Sequence, residues 1–266
     1  MKNILVPLGL SDAQVSLSRL AYAIQLAKET GGKVYVAKEF KELPRTGSLP
    51  SANNALKDIT IAEIEKEIAK IDTDGVEVIA LPVEEDLLEG IPAFNLKHAI
   101  DLLVLGTESL DIANPYFLGE TSGSLVKKTE IPVLIVPENY EYRAIKKVLM
   151  AIKSGVIKKE NALAPVQDIL TTFSTELGLL QVKTSEFTPE DAEINADLKK
   201  MMNSYKTTQN ATLFQGVLEH LNDNNPDLLC VFRRKRGFFE QLWEDNTVLK
   251  KDFESRIPLL ILRGAD

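Results

Sequence analysis

Two short strings of glycine and hydroxyl residues are the chain's best candidates for binding chemistry. The first is Gly106-Thr107-Glu108-Ser109. After nine intervening residues comes Gly119-Glu120-Thr121-Ser122-Gly123-Ser124. A glycine at a strand end lets the backbone approach a phosphate closely. Backbone N–H groups and hydroxyls at the next helix start then donate to it, aided by the helix dipole. The same residues also build plain turns and helix caps, so residue types alone leave both readings open. A third string, Arg233-Arg234-Lys235-Arg236, suits an anion, because guanidinium forks match phosphate. It equally suits a solvated loop, or one paired with acidic residues.

Other reactive groups give less. His98 and His220 fall on predicted helices, with no cysteine, histidine or carboxylate cluster at ligand spacing, so no metal site is indicated. Cys230, the one cysteine, sits in an apolar run and reads as core. A single thiol makes no internal disulfide, which favours a reducing compartment. The G-x-S-x-G, H-E-x-x-H and Walker patterns are missing, and no nucleophile–base pair stands out.

These strings need elements to hold them. With 266 residues, 44% hydrophobic and 26% charged, the chain suits two globular domains. A net charge of -8 argues against general attraction to nucleic acid or anionic membrane. No apolar run approaches the ~20 residues that span a bilayer, and no signal peptide is evident. The expected location is cytoplasmic.

Three apolar strings recur in order. Lys2-Asn3-Ile4-Leu5-Val6 is echoed by Lys146-Lys147-Val148-Leu149-Met150. Asp101-Leu102-Leu103-Val104-Leu105 is echoed by Asp227-Leu228-Leu229-Cys230-Val231, and Ile131-Pro132-Val133-Leu134-Ile135 by Ile257-Pro258-Leu259-Leu260-Ile261. Asp101 to Ile131 and Asp227 to Ile257 both span 30 residues. The chain therefore reads as two copies of one α/β unit. The first echo precedes the second by 99 residues in one half and 81 in the other. The loop at 38–56 is the expected source of the difference.

In the first half, apolar runs predict strands at 4–6, 34–37, 76–81, 102–105 and 133–136. Helices are predicted from an Ser11-Asp12 cap through Thr30, and at 56–71, 87–98 and 122–129. In the second half the strands fall at 147–152, 178–183, 205–208, 228–232 and 259–262. Its helices fall at 160–176, 189–202, 212–222 and 246–254. The polar segment 138–143 is the linker. Alternating strands and helices imply parallel sheets covered on both faces, with ligands at the carboxyl ends of strands.

The glycine pattern resembles that of the universal stress protein family over essentially the whole chain. The resemblance implies two tandem Rossmann-like (adenine nucleotide alpha hydrolase-like) domains, 1–138 and 144–266, each a five-stranded parallel sheet. In the family's nucleotide binders, glycine, two residues, glycine, nine residues and Gly-Ser or Gly-Thr hold the phosphates. Here Gly106 and Gly119 match, Ser109 replaces the second glycine, Glu120 the following hydroxyl, and Ser122 keeps a further hydroxyl position. The family aspartate after the first strand, which faces adenine, is Gly9 within Pro7-Leu8-Gly9-Leu10-Ser11. Ser124 adds a hydroxyl, and Val36 with Ala37 would border the adenine.

These departures weaken the first site. A carboxylate at Glu120 beside a phosphate would repel it by about 4 kcal/mol at ~4 Å, unless a cation intervenes. In the second half Arg233–Arg236 stand where the loop begins, Asp245 replaces the later glycine and Lys153 the aspartate, so the glycine cradle is lost. Phe238, Phe239 and Trp243 read as packing anchors. The resemblance implies a non-catalytic stress-response sensor or binding module, with ATP and magnesium as candidate ligands in the first domain and protein partners unidentified. It further implies that the last strands of the two domains pair, making one chain an internal dimer. The alternatives are a slow magnesium-dependent nucleotide hydrolase using Glu108 and Glu120, and a protein-interaction scaffold with vestigial sites.

Overall fold

The computed structural model describes residues 1–9, 13–41, 50–84, 86–106, 120–138, 140–233 and 257–263. The chain divides into two compact units that change over between Tyr142 and Arg143.

The first unit holds β1 (Asn3–Pro7), α1 (Ala13–Thr30), β2 (Lys33–Glu39), α2 (Pro50–Ile68), β3 (Val78–Val83), α3 (Leu87–His98), β4 (Leu102–Gly106), α4 (Glu120–Lys128) and β5 (Val133–Val136). Its strands run in the order β3-β2-β1-β4-β5, and each pairing is parallel. Ile4, Leu5 and Val6 are each 0% exposed. Successive strand residues point to opposite faces, so both faces of β1 are covered. Helix α1 packs on β1, β2 and β4, and α2 packs on β2 and β3.

Backbone chemistry explains how β1 is held. Gly31, at φ 60°, ends α1. The Gly31 N–H donates to Lys28 O and the Gly32 N–H to Ala27 O, the paired bonds of a Schellman stop. A Cβ on Gly32 would lie 2.8 Å from Lys2 O, so glycine lets β2 start hard against β1. From the other side, one Asp101 carboxylate oxygen accepts from the N–H groups of Lys2 (2.6 Å) and Asn3 (3.0 Å). Within 138–143, Tyr140 and Tyr142 pack on Tyr22 of α1, at ring distances of 6.1 and 5.2 Å. The segment read as a polar linker is thus anchored on the first unit through its tyrosines.

The second unit holds β6 (Lys147–Ile152), α5 (Ala164–Phe173), β7 (Glu176–Lys183), a 3-10 turn (Pro189–Ala192), α6 (Ala196–Met201), β8 (Ser204–Gln209), α7 (Leu213–Asn224), β9 (Leu228–Phe232) and β10 (Leu259–Leu262). Its strands run in the order β10-β9-β6-β7-β8, again all parallel. Within it Asp227 takes the role of Asp101. One of its oxygens accepts from the Lys146 and Lys147 N–H groups, both at 2.9 Å.

Several boundaries differ from expectation. Helix α2 starts at Pro50 and ends at Ile68, because proline suits the first helical position. The helix expected at 189–202 is a 3-10 turn followed by the six-residue α6. Asn195 interrupts it, its side chain capping the N–H groups of Asp197 and Leu198. Helix α5 starts only at Ala164 and ends at Ser174, in the left-handed region at φ 51°. The second half is therefore shortened mainly in a helix. The 19 residues of α2 correspond to the 6 of α6, whereas the stretches before the two helices are of similar length. The helix expected at 246–254 lies outside the described residues.

Candidate functional site

In the first unit the chain pairs outward from β1 to β3, then returns past β1 to β4 and β5. Strands β1 and β4 are neighbours, with Ile4 beside Leu102 and Leu5 beside Leu103. Their connections leave in opposite directions, which opens a crevice at their carboxyl ends. Pro7 ends β1 and Gly106 ends β4, so the topology brings these two predicted residues to one place.

The end of β1 has a defined shape. The Leu8 N–H still donates to Ala37 O at 2.7 Å. Gly9 then turns outward at φ 83°, exposed, and among the described residues, its chain neighbours aside, no atom lies within 4 Å of where a Cβ would stand. That backbone favours glycine. The residue at the family's aspartate position is therefore an exposed glycine in a turn, carrying no side chain toward a ligand. Gly106 is buried and pairs with Val136 of β5.

Helix α4 follows from Glu120. Gly123 on it is buried and Ser124 half-buried. Ser122 lies in its first turn. Ser109 and Gly119 lie outside the described residues, as does Glu108. Val36 is one strand away in β2, between Val6 and Ala80, and 0% exposed. Its side chain is closed off from solvent, so any contact with a ligand there would fall to backbone atoms.

Sequence reasoning passed over Arg19. It is only 2% exposed, in the second turn of α1, the helix that leaves the β1 end, and its guanidinium donates to Ser16 at 3.4 Å. Its one sequence signal was its spacing, four residues after the apolar Val15.

The corresponding end of the second sheet carries other groups. Lys153 follows β6, and Arg233 follows β9, half-buried, its N–H donating to Leu262 O at 2.7 Å. Arg234–Arg236, Phe238, Phe239, Trp243 and Asp245 lie outside the described residues. Cys230 is fully buried, and burial pushes its thiol well above the usual range. Among the described residues, no group of three histidine, cysteine or carboxylate side chains could hold a metal ion. Among them too, no helix is long and apolar enough to cross a membrane.

The model of the universal stress protein family matches residues 1–137, just over half of the chain. Universal stress protein MJ0531 of Methanocaldococcus jannaschii is 30% identical over 145 residues, covering 51% of this chain and 81% of that protein. The chain belongs to the universal stress protein family. The crystal structure of a universal stress protein from Archaeoglobus fulgidus aligns over 99% of this chain and 97% of its own, with a TM-score of 0.64 and 16% identity. The functionally unknown protein PA1789 from Pseudomonas aeruginosa aligns over 100% and 94%, with a TM-score of 0.57 and 13% identity. At such identities these two structures establish the fold alone: a parallel, Rossmann-like α/β architecture along the whole length.

Proposed function

We propose that this universal stress protein is a non-catalytic sensor or binding module whose first unit takes an adenine nucleotide at the carboxyl ends of β1 and β4. The observation that carries the reading is the meeting of Pro7, Gly9 and Gly106 at the crevice where the strand order reverses. Among the described residues nothing crowds Gly9, which supports room for a ligand against the backbone. Gly123 and Ser124 on α4, the helix that follows β4, supply small and hydroxyl groups of the kind that line a phosphate. Ser109, Gly119 and Ser122 complete the proposed loop, with Val36 toward the adenine. Magnesium would accompany the phosphates.

The second unit, 144–266, is on this reading a second domain of the same family with another ligand chemistry. The shared strand order and the shared aspartate clasp support that assignment. The acidic balance and the single buried thiol favour a cytoplasmic setting. The test is calorimetry of nucleotide-free protein with ATP and magnesium. Micromolar binding without phosphate release supports the sensor. Turnover would replace it with a hydrolase, and no heat with no thermal shift would leave a scaffold.

A further inference from the structure

Strand β8 is the outer strand of the second unit's sheet, and it lacks the devices that blunt an edge. It pairs with β7 along its whole length, from Gly178 beside Ser204 to Lys183 beside Gln209, with no bulge. Among the described residues, no strand lies on its other side. Its residues Ser-Tyr-Lys-Thr-Thr-Gln include no proline, no glycine and a single charge. Five of the six are exposed, Tyr205 at 44%, so neither face of the strand is sealed. A row of unpaired N–H and C=O groups on such a strand is a template for another strand.

Backbone bonds identify the groups that face outward. The Asn203 N–H donates to Leu177 O at 2.8 Å, and Asn203 Oδ1 accepts from the Leu177 N–H at 2.7 Å. Alternation along the strand then turns the backbone groups of Tyr205 and Thr207 toward β7, and those of Ser204, Lys206 and Thr208 outward. Side chains hold the strand in place. The Tyr205 hydroxyl donates to the buried Gln181 at 2.6 Å, and Lys206 Nζ lies 3.1 Å from His220 Nδ1 on α7. The outer strand of the first unit, β3, is built differently. The Phe40 N–H donates to Val83 O at 2.8 Å, so the same alternation puts Pro82 at an outward position, where it has no N–H to donate.

We propose that β8 is a self-association edge, which pairs antiparallel with β8 of a second copy of this chain about a twofold axis at Thr207. Such an axis, perpendicular to the sheet, sets one residue opposite its own counterpart. The middle of the strand leaves two such centres, Lys206 and Thr207. Centring on Lys206 brings like charges face to face, which destabilises a pair. Centring on Thr207 makes a Thr–Thr pair, a favourable cross-strand contact. Lys206 of each copy then exchanges backbone bonds with Thr208 of the other, and Tyr205 faces Gln209. Net charge favours the same end of the chain. Residues 143–266 hold 18 Lys and Arg against 17 Asp and Glu, whereas 1–142 hold 13 against 22. Two second units therefore approach with little net repulsion, and two first units do not. The edge lies away from the proposed nucleotide crevice, in the other unit, so either reading stands or falls without the other.

Sedimentation velocity of the full chain from about 5 to 500 µM tests it, a range suited to so small a joint. The expected result is a shift from monomer to dimer as concentration rises. Thr208→Lys sets a lysine opposite Lys206 of the other copy and should weaken the dimer about threefold or more, whereas Thr208→Glu should tighten it by a like factor. Register is read by cross-linking. Thr207→Cys puts two thiols across the axis, with Cβ atoms about 4.5–5.5 Å apart, and should form a disulfide dimer with oxidised glutathione. Ser204→Cys, remote from its own counterpart in this register, should not. The native Cys230 is buried and takes no part. Three results would overturn the proposal: a monomer throughout the range, a dimer indifferent to both Thr208 substitutions, or Ser204→Cys cross-linking as readily as Thr207→Cys.

Discussion

Asp101 closes the first unit by accepting two backbone N–H groups with one oxygen. Deleting it strands both donors at the start of a central strand. Asp101→Ala should therefore lower stability by about 1–3 kcal/mol in urea unfolding, and Asp101→Asn by less, since its amide oxygen can still accept. His98 makes a second residue-scale prediction. Its ring packs 4.9 Å from that of Tyr35, and burial, then Lys97 and Lys33, lowers its pKa. The unfolded chain takes up the proton near pH 6.5, before the folded one does. Stability should thus fall as pH drops through about 6.5 and level off below the folded pKa. His98→Phe should flatten that slope in thermal melts at pH 5 to 7.5. At the candidate site, Gly9 shows what a sequence hides. Its place after β1 was legible, but its positive φ was not.

At the scale of elements, α7 touches the sheet through Gly216. A Cβ there would meet the two methyls of Val182 at 2.7 and 2.9 Å. Gly216→Ala should push α7 off β7 and destabilise by about 1–3 kcal/mol, read as a lower midpoint in denaturant. The strands were the most legible elements, because β1, β4, β5, β6, β9 and β10 are almost wholly buried and unbroken apolar runs announce that burial. Helix ends were less so. Pro50, Asn53 and Asn54 read as loop but begin a helix, because proline is favoured in a first turn and α2 packs on β2 and β3. A cleft in the second unit was illegible. Its lining comes from the loop after β6, the first turn of α5 and α6, which no local pattern joins.

For the whole molecule, the two units share one topology but present different ends. Glycine and hydroxyl residues mark the first, lysine and arginine the second. ATP should accordingly saturate at one nucleotide per chain, with Gly106→Val reducing the affinity by about tenfold or more; a stoichiometry near two would show that the second unit also accepts it. The position of β1 has a consequence for biosynthesis. Its neighbour β2 follows within 30 residues, but β4 and the Asp101 clasp lie 99 residues beyond Lys2. At about 5–20 residues per second, a ribosome takes roughly 5–20 s to deliver them. Throughout that interval the buried strand β1 is flanked on one side only, and it is then that a nascent chain would most need a chaperone.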